Sequence, residues 1–502
     1  MKRTLSLFLA AASLLVAQAL LLVPLAPSGG EGSGAEGPAP SGVTSARAST
    51  RPRYCGTLRV ELSARVALLD SAEKPADGPE AIAKQRLLNL AFDPLVRLDA
   101  NGQPKPALAL SWKSDAASKR WEFRLRPGVK FHDGTPLAPS DVVAALAKER
   151  ESWRVSASGD SILILCDEAH PNLPFELALV FISRRAGDDA LVGTGPFRIT
   201  SWQPGARAVF SANEDYWEGR PFVDSIEVEM GRPRREQLLD FELGKTDLIE
   251  LAPDQLRALA QSGKKTWSSA PVQFYGLDVV STRFESSTSD FRDALSLAID
   301  RAAIHNVLLQ KQGEVASGCL PQWLSGYSFL LSTVRNLDDA RKSLAKLPAV
   351  LPPLTFAYDS ADPLARAIAE RVALNAREIG VTLQVKPRNQ LEKDARHDIE
   401  LFRRHVGVPN AGVAMDFVCP SNHWGYWAMK TGGTEQMYKL ELDSRAQAPY
   451  RVPLFYLPES FAIAARVKNW TPFRWGEWRL ADVWLAPDES IVPPAPKGPE
   501  KP

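Results

Sequence analysis

The sequence predicts an α/β protein, and three local patterns support that class. Asp362-Pro363 opens a helix, with Asp as cap and Pro at the first helical position; Leu364, Ile368 and Val372 form its apolar stripe. Gly380 stops that helix and Val381-Thr-Leu-Gln-Val385 follows as a strand, giving one helix-then-strand unit. Gly56 to Leu62 and Trp121 to Leu125 alternate apolar and polar residues, as half-buried strands do. Asp290 to Arg301 reads as an amphipathic helix with Asp290 as its cap, because Phe291, Leu295, Ala298 and Ala302 recur at helical spacing. At 502 residues the chain exceeds one ordinary core, so two or three domains are expected.

At the N-terminus, Lys2 and Arg3 precede a mostly apolar run from Leu5 to Leu25, the pattern of an export signal. Ala17-Gln-Ala19 offers a cleavage site, yet the whole run also approaches the length that spans a bilayer, so a cleaved signal and a retained anchor both stay open. Either way the basic flank stays inside and the body is exported. Residues 27–53 are rich in Pro, Gly, Ser and Ala, the composition of a flexible tether, and a similar tail starts near Pro487. The 60 Lys and Arg against 59 Asp and Glu leave no basic field for nucleic acid. Four cysteines, Cys55, Cys166, Cys319 and Cys419, allow up to two disulfides whose pairing the spacing does not rank; Cys166, in an apolar run, reads as a buried thiol.

The segment Arg124-Leu-Arg-Pro-Gly-Val-Lys-Phe-His-Asp-Gly-Thr-Pro-Leu-Ala-Pro-Ser-Asp-Val-Val143 reads as a strand, a tight turn at Asp133-Gly134 and a helix start at Pro139. Further on come Gly193-Thr-Gly-Pro-Phe-Arg-Ile199, Asn213-Glu-Asp-Tyr-Trp217 and the Asp290 to Arg301 helix. Together, in this order, these motifs resemble those of family 5 extracellular solute-binding proteins, the peptide-binding receptors of ABC importers. Ala138 departs from the Ser or Thr that usually caps the signature helix, which implies a weaker cap. The resemblance spans about residues 56 to 486 and implies a bilobal, class II periplasmic-binding-protein-like fold: two α/β lobes around a ligand cleft, joined by hinge strands. It places residues 1–26 as signal or anchor, 27–53 as linker, 54–270 with 456–486 as lobe I, 271–455 as lobe II and 487–502 as a tail. Lobe I would carry a shortened subdomain at about 69–185. The implied function is capture of a small solute, foremost a di- or oligopeptide, and delivery to a membrane permease. The protein is then exported to the periplasm or another extracytoplasmic space, is monomeric, has no cofactor and performs no covalent chemistry.

Enzyme signatures are lacking: no G-x-S-x-G, H-E-x-x-H or phosphate-binding G-x-x-x-x-G-K-[ST] occurs, and the six histidines suit no common metal spacing. His132 reads as a turn residue, and Trp475 and Trp478 as structural. A peptide receptor needs a carboxylate for the ligand's ammonium, a cation for its carboxylate and aromatic walls. Where peptide-binding relatives carry Trp-x-x-Asp-Tyr, this chain has Asp416-Phe417 without the Trp, so Asp416 is the candidate amine partner. Arg403 and Arg404 are candidate carboxylate partners, and Trp424, Tyr426 and Trp427 candidate walls. Tyr275 and Asp278, at the implied crossing between lobes, are candidates for facing the cleft. Two other readings remain: a tethered receptor or scaffold that keeps the fold without transport-type binding, and an exported hydrolase, for which no nucleophile–base motif speaks.

Overall fold

The structure is a computed structural model that describes residues 51–487, apart from 71–77, 148, 150–151, 187–190, 281–287, 332–333, 348–350, 389–396, 419–432 and 446–450. The expected signal or anchor, the linker up to residue 50 and the tail from residue 488 therefore lie outside the described residues. Among the described residues no helix is long and apolar enough to cross a membrane.

Eleven strands share one sheet. In chain order they are β1 (Thr57–Glu61), β2 (Phe197–Gln203), β3 (Arg207–Ala212), β4 (Ser225–Glu229), β5 (Leu248–Glu250), β6 (Thr266–Val279), β7 (Glu314–Val315), β8 (Leu354–Tyr358), β9 (Leu383–Pro387), β10 (Ile399–His405) and β11 (Val452–Ile463). The spatial order is β2-β3-β4-β1-β5-β11-β6-β10-β8-β9, with β7 on β11. On one side β1 pairs in parallel with β4 and β5; on the other, β8 pairs in parallel with β9 and β10. The 14-residue β6 and 12-residue β11 run antiparallel between these two parallel sets and join them.

Helices follow the parallel strands. After β1 comes α1 (Pro79–Ala91), after β4 α2 (Arg234–Glu242), and after β5 α3 (Pro253–Gln261). In the other half, α5 (Pro363–Arg377) follows β8 and α6 (Ala411–Val418) follows β10, while α4 (Thr288–Ala298) follows the antiparallel β6 and so starts at the opposite end. Because the strands in each set are parallel, the helix N-termini collect at their carboxyl ends. α5 forms where the sequence expects it: Asp362 accepts from the backbone N–H of Leu364 and Ala365, and Gly380 ends the turn at φ +87°. Asp290 lies inside the first turn of α4 rather than capping it, and its carboxylate pairs with Lys346 at 2.7 Å.

Separate apolar clusters fill the two halves. One gathers Leu58, Phe210, Phe461 and Trp478; the other gathers Leu277, Phe291, Phe356 and Ile368. A third, built on a four-stranded antiparallel sheet over residues 109–166, encloses Phe123, Ile162 and Leu146. Cys166 is a buried thiol there, whereas Cys319 is disulfide-bonded.

The signature motifs act as a frame. Gly134 takes φ +83° at the tight turn, and His132 lies over the glycine motif, its ring Nε2 3.0 Å from the Gly195 carbonyl. A Cβ at Gly193 or Gly195 would lie 2.0 Å from the Ala91 oxygen or 2.5 Å from the Ala91 carbonyl carbon, so only glycine lets this strand close on the end of α1. Thr194 Oγ1 (2.9 Å), Tyr216 Oη (3.1 Å) and Trp217 Nε1 (2.9 Å) all donate to the buried carboxylate of Asp93. At the signature helix, Ala138 supplies no side-chain cap, and only the return half of a capping box remains, Asp141 accepting from the Ala138 N–H at 2.8 Å.

Candidate functional site

The carboxyl ends of both parallel sets meet at one seam. Pro79 at the start of α1, Arg234 at the start of α2, Pro253 at the start of α3 and Leu364 at the start of α5 line a single small cavity of about 30 Å³. Crevices outside the carboxyl ends of parallel strands are where α/β sheets bind ligands, because unpaired N–H groups and helix dipoles point there.

A buried charge network crosses this seam. Glu250, at the end of β5, accepts from the Ser63 N–H at 2.8 Å and the Ser63 hydroxyl at 2.5 Å, and from Arg86 of α1 at 3.2 Å. Arg86 also donates to Glu459 of β11 at 2.5 Å, and Gln273 of β6 donates to the same oxygen at 3.3 Å. The second Glu459 oxygen stands 3.6 Å from His405 Nε2. On the far side Asp362 accepts from Tyr275 Oη at 2.8 Å and from Arg403 at 2.9 Å. Burial pushes the Glu459 carboxyl up, but Arg86 and then His405 outweigh it and bring it to about 2. Burial is likewise overcome at Asp362 by Arg403 and at Glu250 by Arg86, so both carboxyls lie below their usual range.

A larger cavity of about 360 Å³ lies behind α1, sharing Ile82 and Arg86 with the first. Its walls are Asp93, Arg97 with its bidentate partner Glu218, and Trp475, Glu477 and Trp478 of the C-terminal segment. The volume suits a small ligand, but Arg97 is paired with Glu218 and Trp475 with Glu477, and of the named walls only Trp478 keeps a buried N–H without an acceptor. Only His405 and Gly407 of this lining come from the half that carries β8 and β10. The seam is the better candidate, since both halves and four helix N-termini build it.

The sequence candidates divide. Tyr275 is 1% exposed and, with Arg403, belongs to the seam network; burial holds its phenol well above the usual range. Asp278 pairs with Arg451 at 2.6 Å, and Arg451 and Arg404 both donate to the Val418 carbonyl, at 2.8 and 3.3 Å. They thus hold two cations at the negative end of α6, the helix that carries Asp416. The side chain of Asp416, and Trp424, Tyr426 and Trp427 entirely, lie outside the described residues. Sequence reasoning missed Arg86, Arg234, Glu250 and Glu459. Glu250 and Arg234 had one available signal, their position just after or at the end of a strand that precedes a helix; Arg86 and Glu459 had none.

A sequence model of bacterial extracellular solute-binding proteins, family 5 (middle region), matches residues 103–157 and 180–426, more than half of the chain. The chain belongs to this family. Among curated proteins it is 25% identical over 357 residues to the probable D,D-dipeptide-binding periplasmic protein DdpA of Escherichia coli (strain K12), covering 64% of this chain and 67% of that protein. The match spans 61% and 56% of the length of two further relatives. Among solved structures, DppA from Helicobacter pylori in complex with the peptide STSA superposes with a TM-score of 0.74 at 18% identity, over 86% of this chain and 99% of that one. AgaA from Agrobacterium tumefaciens R10, in complex with agropinic acid, gives 0.75 at 18% identity over the same shares. The family 5 chain therefore has the bilobal binding-protein fold, with β6 and β11 as the strands that join its halves.

Proposed function

We propose that this family 5 protein is the extracytoplasmic capture component of an ABC importer, and that it takes a short peptide or a comparable zwitterion at the seam. The observation that carries the reading is the convergence of four helix N-termini from both halves on one crevice whose walls mix arginines with carboxylates. Such a lining offers acceptors to an ammonium group and donors to a carboxylate. Peptides named for DdpA and DppA point to the same class.

The crevice holds only about 30 Å³, room for one or two water-sized groups, so a peptide enters after the halves part. Hinge motion about β6 and β11 provides that opening, and closure presents the loaded form to a permease. The work is capture and release, without bond chemistry.

Thermal unfolding of the full chain, first stripped of carried-over solute by partial unfolding, tests this. Di- and tripeptides, free amino acids, sugars and nickel–histidine would be compared. A ligand that binds only the folded state raises the midpoint by mass action. A rise with short peptides is expected; a rise confined to sugars or metal chelates would replace the ligand class, and no rise at all would leave the chain a binding fold without transport-type capture.

A further inference from the structure

The seam contains three arginines, and two are already engaged. Arg86, whose side chain is 6% exposed, is held by Glu250 and Glu459; Arg403, 10% exposed, is held by Asp362. Arg234 lines the same small cavity and has no ion-pair partner among the described residues. The Nε atoms of all three are buried without a hydrogen-bond acceptor.

The carboxylates that feel the charge of Arg234, Glu250 and Asp362, are used up. One Glu250 oxygen takes Arg86 and the other takes Ser63. One Asp362 oxygen takes Tyr275 and Arg403, and the other caps α5. Glu250 and Asp362 feel the charge of Arg234 at longer range, yet neither bonds it. Glu459 gives one oxygen to Arg86, while its other oxygen, 3.6 Å from His405 Nε2, accepts no hydrogen bond. A buried donor left without an acceptor costs about 1–3 kcal/mol, more when charged, so the Arg234 end of the site is short of an anionic acceptor, whereas the Glu459 end is short of a donor. The free space matches one carboxylate group. α2 begins at Arg234, and its N–H groups add to the attraction for negative charge.

We propose that Arg234 anchors the carboxylate of the captured solute. This rests on the seam being the solute site and assigns the polarity of binding: the acidic end of the solute seats against α2, in the half that carries β1. The family resemblance directed attention to Arg403 and Arg404 for this role, but Arg403 is committed to Asp362.

Calorimetric titration of the full chain with trialanine and with trialanine amide tests the assignment. Arg234→Met is expected to weaken trialanine by tenfold or more, as loss of a charge-assisted contact does, and to leave the amide unchanged. Arg234→Lys should recover part of the loss. Equal weakening of both peptides would show a structural role and overturn the proposal, as would no change.

Should wild type bind neither peptide, the peptide reading fails on its own. Arg234 is then decided by thermal unfolding with acetate, succinate and inorganic phosphate at constant ionic strength. A rise with the carboxylates in wild type that Arg234→Met abolishes supports the anchor. A rise with phosphate alone, or none that depends on Arg234, rejects it.

Discussion

The Asp93 frame and the seam are both buried polar clusters, yet they are written into the chain in opposite ways. Asp93 receives three donors from Thr194, Tyr216 and Trp217, all inside recognisable motifs. The seam is assembled from Arg86, Arg234, Glu250 and Glu459, which no motif marks. In the frame, conserving shape is enough: glycines admit a close strand, and a neutral or charged acid accepts hydrogen bonds. In the seam the balance of charge across two halves decides the energy. Signature motifs thus report the scaffold, while binding is set by residues whose importance depends on what stands opposite them.

The largest test of that contrast removes the central cation. Arg86→Met leaves Glu250 and Glu459 buried without their partner and should destabilise the protein by about 3–5 kcal/mol in denaturant unfolding. A loss below about 1 kcal/mol would equate this pair with exposed ion pairs and dissolve the distinction. Asp93→Ala strands three donors and should remove about 2–3 kcal/mol while leaving solute affinity intact. Weaker binding in that variant would mean that frame and seam are coupled.

Acidity separates the clusters by sign. Burial raises the Asp93 carboxyl to about 6 against the hydrogen bonds from Trp217, Thr194 and Tyr216. A raised folded pKa gives stability that is complete below the unfolded value near 3.8 and is lost as pH rises through about 6. Glu459, lowered to about 2, gives stability that is complete above 4.5 and is lost as pH falls through about 2. Unfolding free energy measured against pH should therefore lose the Asp93 share of its slope between about 4 and 6 in Asp93→Asn, and the Glu459 share of its acid limb below about 4.5 in Glu459→Gln. Glu61 contributes to the remainder of the first, and Glu250 and Asp362 to the remainder of the second. The reverse pattern would mean that the two carboxyls have been assigned to the wrong limbs. The smallest effect belongs to the scaffold: Ala138 has the extended backbone of a cap (φ −103°, ψ 153°). Ala138→Ser should add about 0.5–1 kcal/mol, and no gain would mean that the Asp141 return bond already suffices.

Much of the fold was legible because its causes are local. The Asp362 cap, the Gly380 stop and the Asp133-Gly134 turn each follow from one residue's backbone preference or side-chain reach. Asp290 misled because an acidic residue near a helix start serves equally as a cap or as a first-turn charge, and the true boundary two residues earlier decides which. The site was less legible. Tyr275 was rightly drawn to the crossing, but its partner Asp362 lies 87 residues away, and nothing in the spacing pairs them. Asp278 and Arg404 serve the end of α6 through Val418, a contact that depends on how β6, β10 and the chain before β11 come together.

By itself the sequence determined the α/β class, the turns and caps of individual elements, and membership in a family whose motifs build a frame, since each of these depends on short-range geometry. The tertiary structure alone decided which charges neutralise one another. Arg86 meets Glu459 across 373 positions, and Arg234 is left over because Glu250 and Asp362 are already bonded. Electrostatic pairing is settled by distance in space and by burial, and neither is encoded in the order of the chain.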